Sequence, residues 1–391
     1  MKIVIAPDSF KESLSALEVA NAIETGFKSV FPDALFCKVP VADGGEGTVQ
    51  AMVDATSGRM VTVNVTGPLG EQVKACYGIL GNDEVSGSTA VIEMASASGL
   101  HLVPPAKRDP LITTSFGTGE LICDALERGV KRIILGLGGS ATNDAGVGML
   151  QALGAIFTDD KGEPIGYGGA QLAAIESIDL SQLHPSINQC RIDVACDVDN
   201  PLCGVTGASA IFGPQKGADA AKISQLDSAL KHFATKTNEY LSDSKHAKEN
   251  RLDSLAGAGA AGGMGFGVTA YLKATLMPGV KIVTDTVKLA KACEGADLVI
   301  TGEGRIDGQT VFGKTPMGVL EVAQEHQVPV IGIAGCLGDN ANAICLKGMS
   351  AIFPIIPALA PLNDVLDQAT NNLIQTSRNI AATIAVAKKF K

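Results

Sequence analysis

The residues of this 391-residue chain that can do chemistry are carboxylates and lysines placed beside glycine. Asp8, Asp43, Glu46, Asp197, Asp199, Glu303 and Asp307 gather at turns where strand-like segments end. In open α/β sheets, ligands sit at the carboxyl ends of the strands. Lys11, Lys216, Arg305 and Lys314 lie close to these acids in the sequence. Phosphoryl transfer needs Mg2+ on one or two carboxylates, positive charge on the moving phosphate and an Asp to accept the hydroxyl proton. A single Asp at a strand end is more often a turn or helix cap; seven such positions together weaken that reading. Other chemistries lack their parts. His101, His184, His232, His246 and His326 show no metal spacing, the nine cysteines form no C-x-x-C pair, and no G-x-S-x-G elbow occurs.

Three glycine motifs bear on phosphate. Gly136-x-Gly138-x-x-Ala141 follows a strand-like run and precedes a helix-like one, with Asp159 about 20 residues on, the context of a dinucleotide fingerprint. An NAD-type oxidoreductase is therefore the rival reading. The physics is wider than NAD, because a glycine turn at a helix start offers unpaired N–H groups to any phosphate. Gly257-x-Gly259-x-x-Gly262 follows a polar segment, Lys245 to Asp253, and not a strand. Its glycines imply close backbone packing or close approach to a ligand. Gly308 to Thr315 fits the Walker A expression, but the strand before it reads as ending near Thr301, too early for a standard P-loop. The helix start at Thr315–Pro316, with Thr315 as its cap and Lys314 beside it, remains an anion site.

Elements must position these groups. Lys2 to Ala6 reads as a buried parallel strand, and Ser15 with Glu18 as a capping box opening a helix. Phe36 to Val41 is a second strand. Val61, Val63 and Val65, then Val73, Ala75, Tyr77 and Ile79, alternate with other residues and predict antiparallel strands. Strands are expected over Thr89–Met94, Lys131–Leu135 and Ile192–Cys196, and helices over Thr118–Arg128, Ala145–Leu153 and Ala218–Leu241. Ser242 to Asn250 is charged and reads as a surface loop. The α/β rhythm then returns: helix Thr286–Ala292, strand Ala296–Thr301, helix Pro316–His326, strand Val328–Ala334, strand Ala351–Ile356 and a terminal helix from Leu362 to Lys388. This pattern predicts a discontinuous α/β domain of residues 1–59 and 285–391 around an inserted mixed α/β domain of residues 60–284.

Composition narrows the classes further. A net charge of −10 argues against nucleic-acid binding, so phosphate must be held locally. With 46% hydrophobic residues a sizeable core can form, and the 45 glycines follow no collagen period. Ser254 to Leu272 is uncharged, but its glycines suggest a buried loop and not a membrane span. The N-terminus lacks the pattern of a signal peptide, and the odd number of scattered cysteines suits a reduced, cytoplasmic protein.

Several longer blocks resemble the bacterial glycerate kinases of the first type. They include Ala6-Pro7-Asp8-Ser9-Phe10-Lys11, Pro40 to Thr48, Gly138-Gly139-Ser140-Ala141-Thr142-Asn143-Asp144, Ala195 to Leu202, Phe212 to Ala218, Gly257 to Gly267, Thr301 to Asp307 and Gly313-Lys314-Thr315-Pro316. They run in order from residue 6 to about 320, with Glu12 standing where the family usually has glycine. The resemblance implies an ATP- and Mg2+-dependent kinase acting on D-glycerate, a small-molecule substrate, and giving 2-phosphoglycerate. It also implies a flavodoxin-like parallel-sheet domain, a second mixed α/β domain and an active site in the cleft between. On that basis Asp197 is the expected general base, with Asp43 the alternative and Lys11 in the catalytic group. Gly138, Gly139, Ser140, Ala141, Thr142 and Asn143 are assigned to the nucleotide phosphates. Asp8, Ser9, Lys216, Arg305 and Lys314 are assigned to the substrate, and Asp43, Asp197 and Glu303 to the metal.

Overall fold

The computed structural model describes residues 1–81, 88–243 and 252–390. Its strands are β1 Lys2–Ile5, β2 Leu35–Lys38, β3 Arg59–Thr66, β4 Gln72–Ile79, β5 Thr89–Glu93, β6 Arg132–Gly136, β7 Ile156–Thr158, β8 Ser177–Asp179, β9 Arg191–Ala195, β10 Thr275–Met277, β11 Leu298–Ile306, β12 Val330–Leu337 and β13 Ala351–Pro354. The chain divides into two compact units, one of residues 1–43, 47–58 and 278–391, the other of residues 44–46 and 59–277.

The first unit is built on a parallel sheet in the order β2-β1-β11-β12-β13. Its chain order reverses between β1 and β11, the arrangement of flavodoxin-like sheets. Ile3, Val4 and Ile5 have no exposed surface, which is why β1 reads as an unbroken apolar run and not as an alternation. The helix Ala16–Lys28 starts at the expected capping box, with both reciprocal Ser15–Glu18 bonds formed. It packs on the C-terminal helix Ala369–Ala387 through a core that includes Val19, Ile23, Phe27, Leu373 and Ile380. Each such side chain contributes roughly 1.5–3 kcal/mol by burial.

Two helices of this unit differ from expectation. The region around Thr286–Ala292 forms two short helices, Gly279–Thr286 and Leu289–Cys293, broken where Lys288 turns left-handed at φ 58°. The terminal helix is also two pieces, Leu362–Asp367 and Ala369–Ala387, parted at Gln368. The boundary by contacts lies at Pro278, ahead of the expected return at residue 285, because helix Gly279–Thr286 packs on helix Thr315–Glu325 of its own unit. There Gly318 leaves room for Val280.

The second unit holds a mixed six-stranded sheet in the order β10-β9-β6-β5-β4-β3. β3, β4 and β5 are antiparallel neighbours, while β5, β6, β9 and β10 run parallel. Alternation in β3 and β4 puts Val61, Val65, Ala75 and Tyr77 into the core. β7 and β8 form a separate antiparallel pair. These two strands and β10 have three residues each, too short to leave a periodic signal.

The stretch read as a glycine loop instead contains the helix Ala260–Leu272, entered through left-handed Ala261, Gly262 and Gly263. Of the charged segment 242–250, Ser242 and Asp243 end the long helix Ala220–Asp243, and residues 244–250 lie outside the described residues. Among the described residues no helix is long and apolar enough to cross a membrane. All nine cysteines are free.

Candidate active site

In the first unit, three acids meet at the point where the sheet order reverses. Asp8 leaves β1 with its N–H bonded to the Gly302 carbonyl, and Glu303 lies on the neighbouring β11. That reversal is where open α/β sheets bind ligands. Burial pushes the Asp8 carboxyl up to about 6, and the charge of Asp43 adds to the shift. Thr315 Oγ1 donates to Asp8 Oδ2 at 2.6 Å, and Ser9 N donates to Oδ1 at 2.6 Å, both favouring the ionised form. Burial pushes Glu303 up to about 7, opposed by a hydrogen bond from Thr310 Oγ1 (2.7 Å) and by Lys314, and reinforced by Asp8 and Asp43. Asp8 and Glu303, buried beside the charge of Asp43, hold protons near neutral pH, and such a cluster of acids favours a cation. Among the described residues no three His, Cys, Asp or Glu side chains are grouped as metal ligands. Mg2+ needs only one or two carboxylates when phosphate oxygens complete its shell, so this oxygen donor set fits it.

The cations of this unit surround a short loop. Arg305 is exposed and pairs with Asp307 at 3.3 Å, and Lys314 Nζ stands 3.9 Å from the other Asp307 oxygen. Lys11 is exposed beside Glu12, a non-glycine residue held at φ 66°. This is the position where glycine was expected, and the backbone shows why. β11 runs to Ile306, beyond the expected end at Thr301, so the Walker-like segment joins strand to helix directly. It still does not form a phosphate cradle. Gly308, Thr310 and Phe312 donate their N–H groups to protein carbonyls, and Gln309 donates to Asp307 Oδ1. Thr315 is the first residue of its helix and not its cap; its hydroxyl is spent on Asp8.

In the second unit, β6 ends at Gly136 and the chain turns through Gly138 and Gly139, both exposed, with Gly139 at φ 71°. Among the described residues no protein acceptor meets the N–H groups of Gly138 and Gly139. Ser140, Ala141, Thr142 and Asn143 are buried behind them. The dinucleotide reading fails on geometry. The helix that should open at this turn starts only at Val147 and spans six residues. Asp159 follows β7, outside the main sheet, and its carboxylate closes a local turn by accepting from Lys161 N and Glu163 N. An oxidoreductase is not supported.

The turn is held from behind at four places. Lys216 Nζ donates to Ser140 Oγ and to the Thr142 carbonyl, each at 2.7 Å. Asn143 Nδ2 donates to Ser209 Oγ at 3.0 Å. Asp144 accepts from Ser115 N and Oγ at 2.8 Å, and burial pushes its carboxyl up. Ala145 N donates to Gly262 O at 3.0 Å, and a Cβ on Gly262 would strike the Thr142 carbonyl. The glycine-rich segment is thus a packing platform for the turn. Among the described residues, Thr142 Oγ1 and Asn143 Oδ1 are buried with no hydrogen-bond partner.

Asp197 lies just beyond β9, the parallel neighbour of β6, and Gly136 is in register with Ala195. The exposed acid and the bare turn therefore leave adjacent strands at the same sheet edge. The structure thus brings Asp8, Ser9, Asp43, Glu303 and Lys314 together in one unit, with Arg305 and Lys11 exposed nearby in the chain, and places Asp197, Lys216 and residues 138–143 in the other. Sequence reading gave no role to Asp144 or Thr310 and the wrong one to Thr315; Thr315 and Asp8 are 307 residues apart, and no local pattern links them.

Residues 3–385 match the model of the glycerate kinase family. A glycerate kinase of Haemophilus influenzae is 57% identical over 98% of this chain and 99% of its own length. The glycerate 2-kinase of Escherichia coli is 53% identical, covering 100% of this chain and 99% of its own. A solved structure assigned as glycerate kinase 2 from Salmonella typhimurium LT2 superposes with a TM-score of 0.90 at 53% identity, over 100% of this chain and 99% of that one.

Proposed function

The chain belongs to the glycerate kinase family, and from that premise we propose that it transfers a phosphoryl group from ATP to D-glycerate, with Mg2+, giving 2-phosphoglycerate. The full-length family match carries this reading. The acids at the sheet reversal and the bare glycine turn support it, since phosphoryl transfer is mostly positioning and charge stabilisation.

Asp197 accepts the hydroxyl proton; it is exposed at the sheet edge that also carries the turn. Gly138 to Asn143 receives the nucleotide phosphates through backbone N–H groups. Asp43 and Glu303 would hold Mg2+, which when bound neutralises phosphate charge. Asp8 and Ser9 bind the substrate, while Lys11, Arg305 and Lys314 hold the glycerate carboxylate and offset developing charge. The cytoplasm, where ATP meets reduced thiols, is the proposed compartment.

The test is ADP release with D-glycerate, with and without Mg2+, followed by phosphorus NMR of the product. Metal-dependent ADP release and a 2-phosphate are expected. No ADP release would reject the kinase reading, and a 3-phosphate would reject the regiochemistry alone.

A further inference from the structure

We propose that Lys216 is a positioning residue for the nucleotide, holding Ser140 and Thr142 from behind the glycine turn and lending the turn a positive charge without touching the ligand. This deepens the kinase reading and rests on it.

Lys216 is only 2% exposed, so its ammonium does not reach a ligand on the open face of Gly138 and Gly139. Its two hydrogen bonds go to Ser140 Oγ and Thr142 O. Having accepted a bond from an ammonium, Ser140 keeps its O–H as a donor, the polarity an anion wants. The lysine enters from the turn Pro214–Lys216, closed by Gly217 at φ 93°, where any Cβ would strike the Arg108 carbonyl. Its placement is therefore fixed by backbone and not by a flexible loop.

The charged groups around it do not cancel its charge completely. Asp144 attracts it, yet that carboxylate is already bound by Ser115, Gly146 and Gly148. Arg108 points its guanidinium to Gln215 O at 3.4 Å, and Lys222 neutralises Asp109 at 2.8 Å. Burial pulls the Lys216 amine down to about 7, with Asp144 opposing. A phosphate bound at the turn favours the ammonium form, so binding above neutral pH must draw a proton from solvent.

The experiment is calorimetric titration of the full chain with Mg2+-ADP at pH 8, in two buffers of different ionisation enthalpy, on the wild type and on Lys216→Met. We expect the wild type to take up a fraction of a proton and to bind more weakly from pH 7 to pH 9. Lys216→Met should bind ADP about tenfold or more weakly, the loss of a charged hydrogen bond, with no proton uptake and the KM for glycerate unchanged. Wild-type binding without proton uptake overturns the proposal even if the variant fails to fold, and so does undiminished ADP affinity in a folded variant. No ADP binding by the wild type overturns the nucleotide reading and the proposal with it.

Discussion

The two candidate regions achieve order by opposite means. Around Asp8, Asp43 and Glu303 the backbone is ordinary and the charges are unusual: two carboxyls are raised to about 6 and about 7, chiefly by burial and further by neighbouring acids. Around Gly138 to Asn143 the backbone is unusual and nearly everything else is fixed, with Gly139, Gly262 and Gly263 left-handed and no room for a Cβ at Gly262. The acid region can be retuned by pH or a cation. The turn is set by shape, with the Lys216 amine behind it pulled down to about 7 by burial. Variants that separate charge from shape put this contrast to work.

The largest effect is expected at Asp197. Asp197→Asn should lower turnover about 10²–10⁴-fold, the range of a lost general base, with ADP affinity kept. Steady-state kinetics beside Asp43→Asn decides the assignment, since near-normal turnover in Asp197→Asn with collapse in Asp43→Asn moves the base to the acid region.

Next comes Gly262→Val, which forces a side chain against Thr142 O in a left-handed backbone. It should cost about 2–5 kcal/mol in urea unfolding, by the same amount at every pH from 6 to 8. A pH-dependent loss would mean that charge, too, shapes the turn.

Glu303→Gln should show the reverse pattern. A carboxyl raised to about 7 makes the native state bind more protons than the unfolded state between the unfolded value and 7. Its stability contribution is therefore present in acid and lost as pH rises through about 7. Without Mg2+, the Gln variant should gain on the wild type from pH 5 to pH 8, by on the order of 2–3 kcal/mol. Parallel pH–stability curves would remove Glu303 from the titrating group.

Thr315→Val removes the hydroxyl bond to Asp8 and should cost about 1 kcal/mol while raising the Asp8 carboxyl further. A carbon-13 NMR titration of the aspartates reads that shift. The smallest change is Glu12→Gly. Relief of the φ 66° strain should stabilise by about 0.5–1 kcal/mol, with turnover unaltered. Loss of turnover would place Glu12 in the chemistry.

Much of the molecule was legible where signals are local. The Ser15–Glu18 capping box, the alternation of β3 and β4 and the apolar run of β1 each follow from spacing alone. The acids at strand ends were legible as a set. Which of them meet was not, because Asp8 and Glu303 join only through parallel pairing of β1 with β11. The glycine fingerprint misled for a related reason: it reports a tight turn, but whether a helix starts there depends on residues 140–146 being bound to Lys216, Ser209, Ser115 and Gly262. The burial of Lys216 was not legible either, because it is tertiary and leaves no trace in neighbouring residues.

The glycine platform also bears on how this gene can vary. At Gly262, Gly265 and Gly267 an added Cβ would meet the backbone of Thr142, Gly257 and Ala145. Every amino-acid replacement that one nucleotide change can make in a glycine codon adds a Cβ. At these positions the genetic code therefore offers no gentle step, and a saturation mutagenesis library should retain only synonymous codons there.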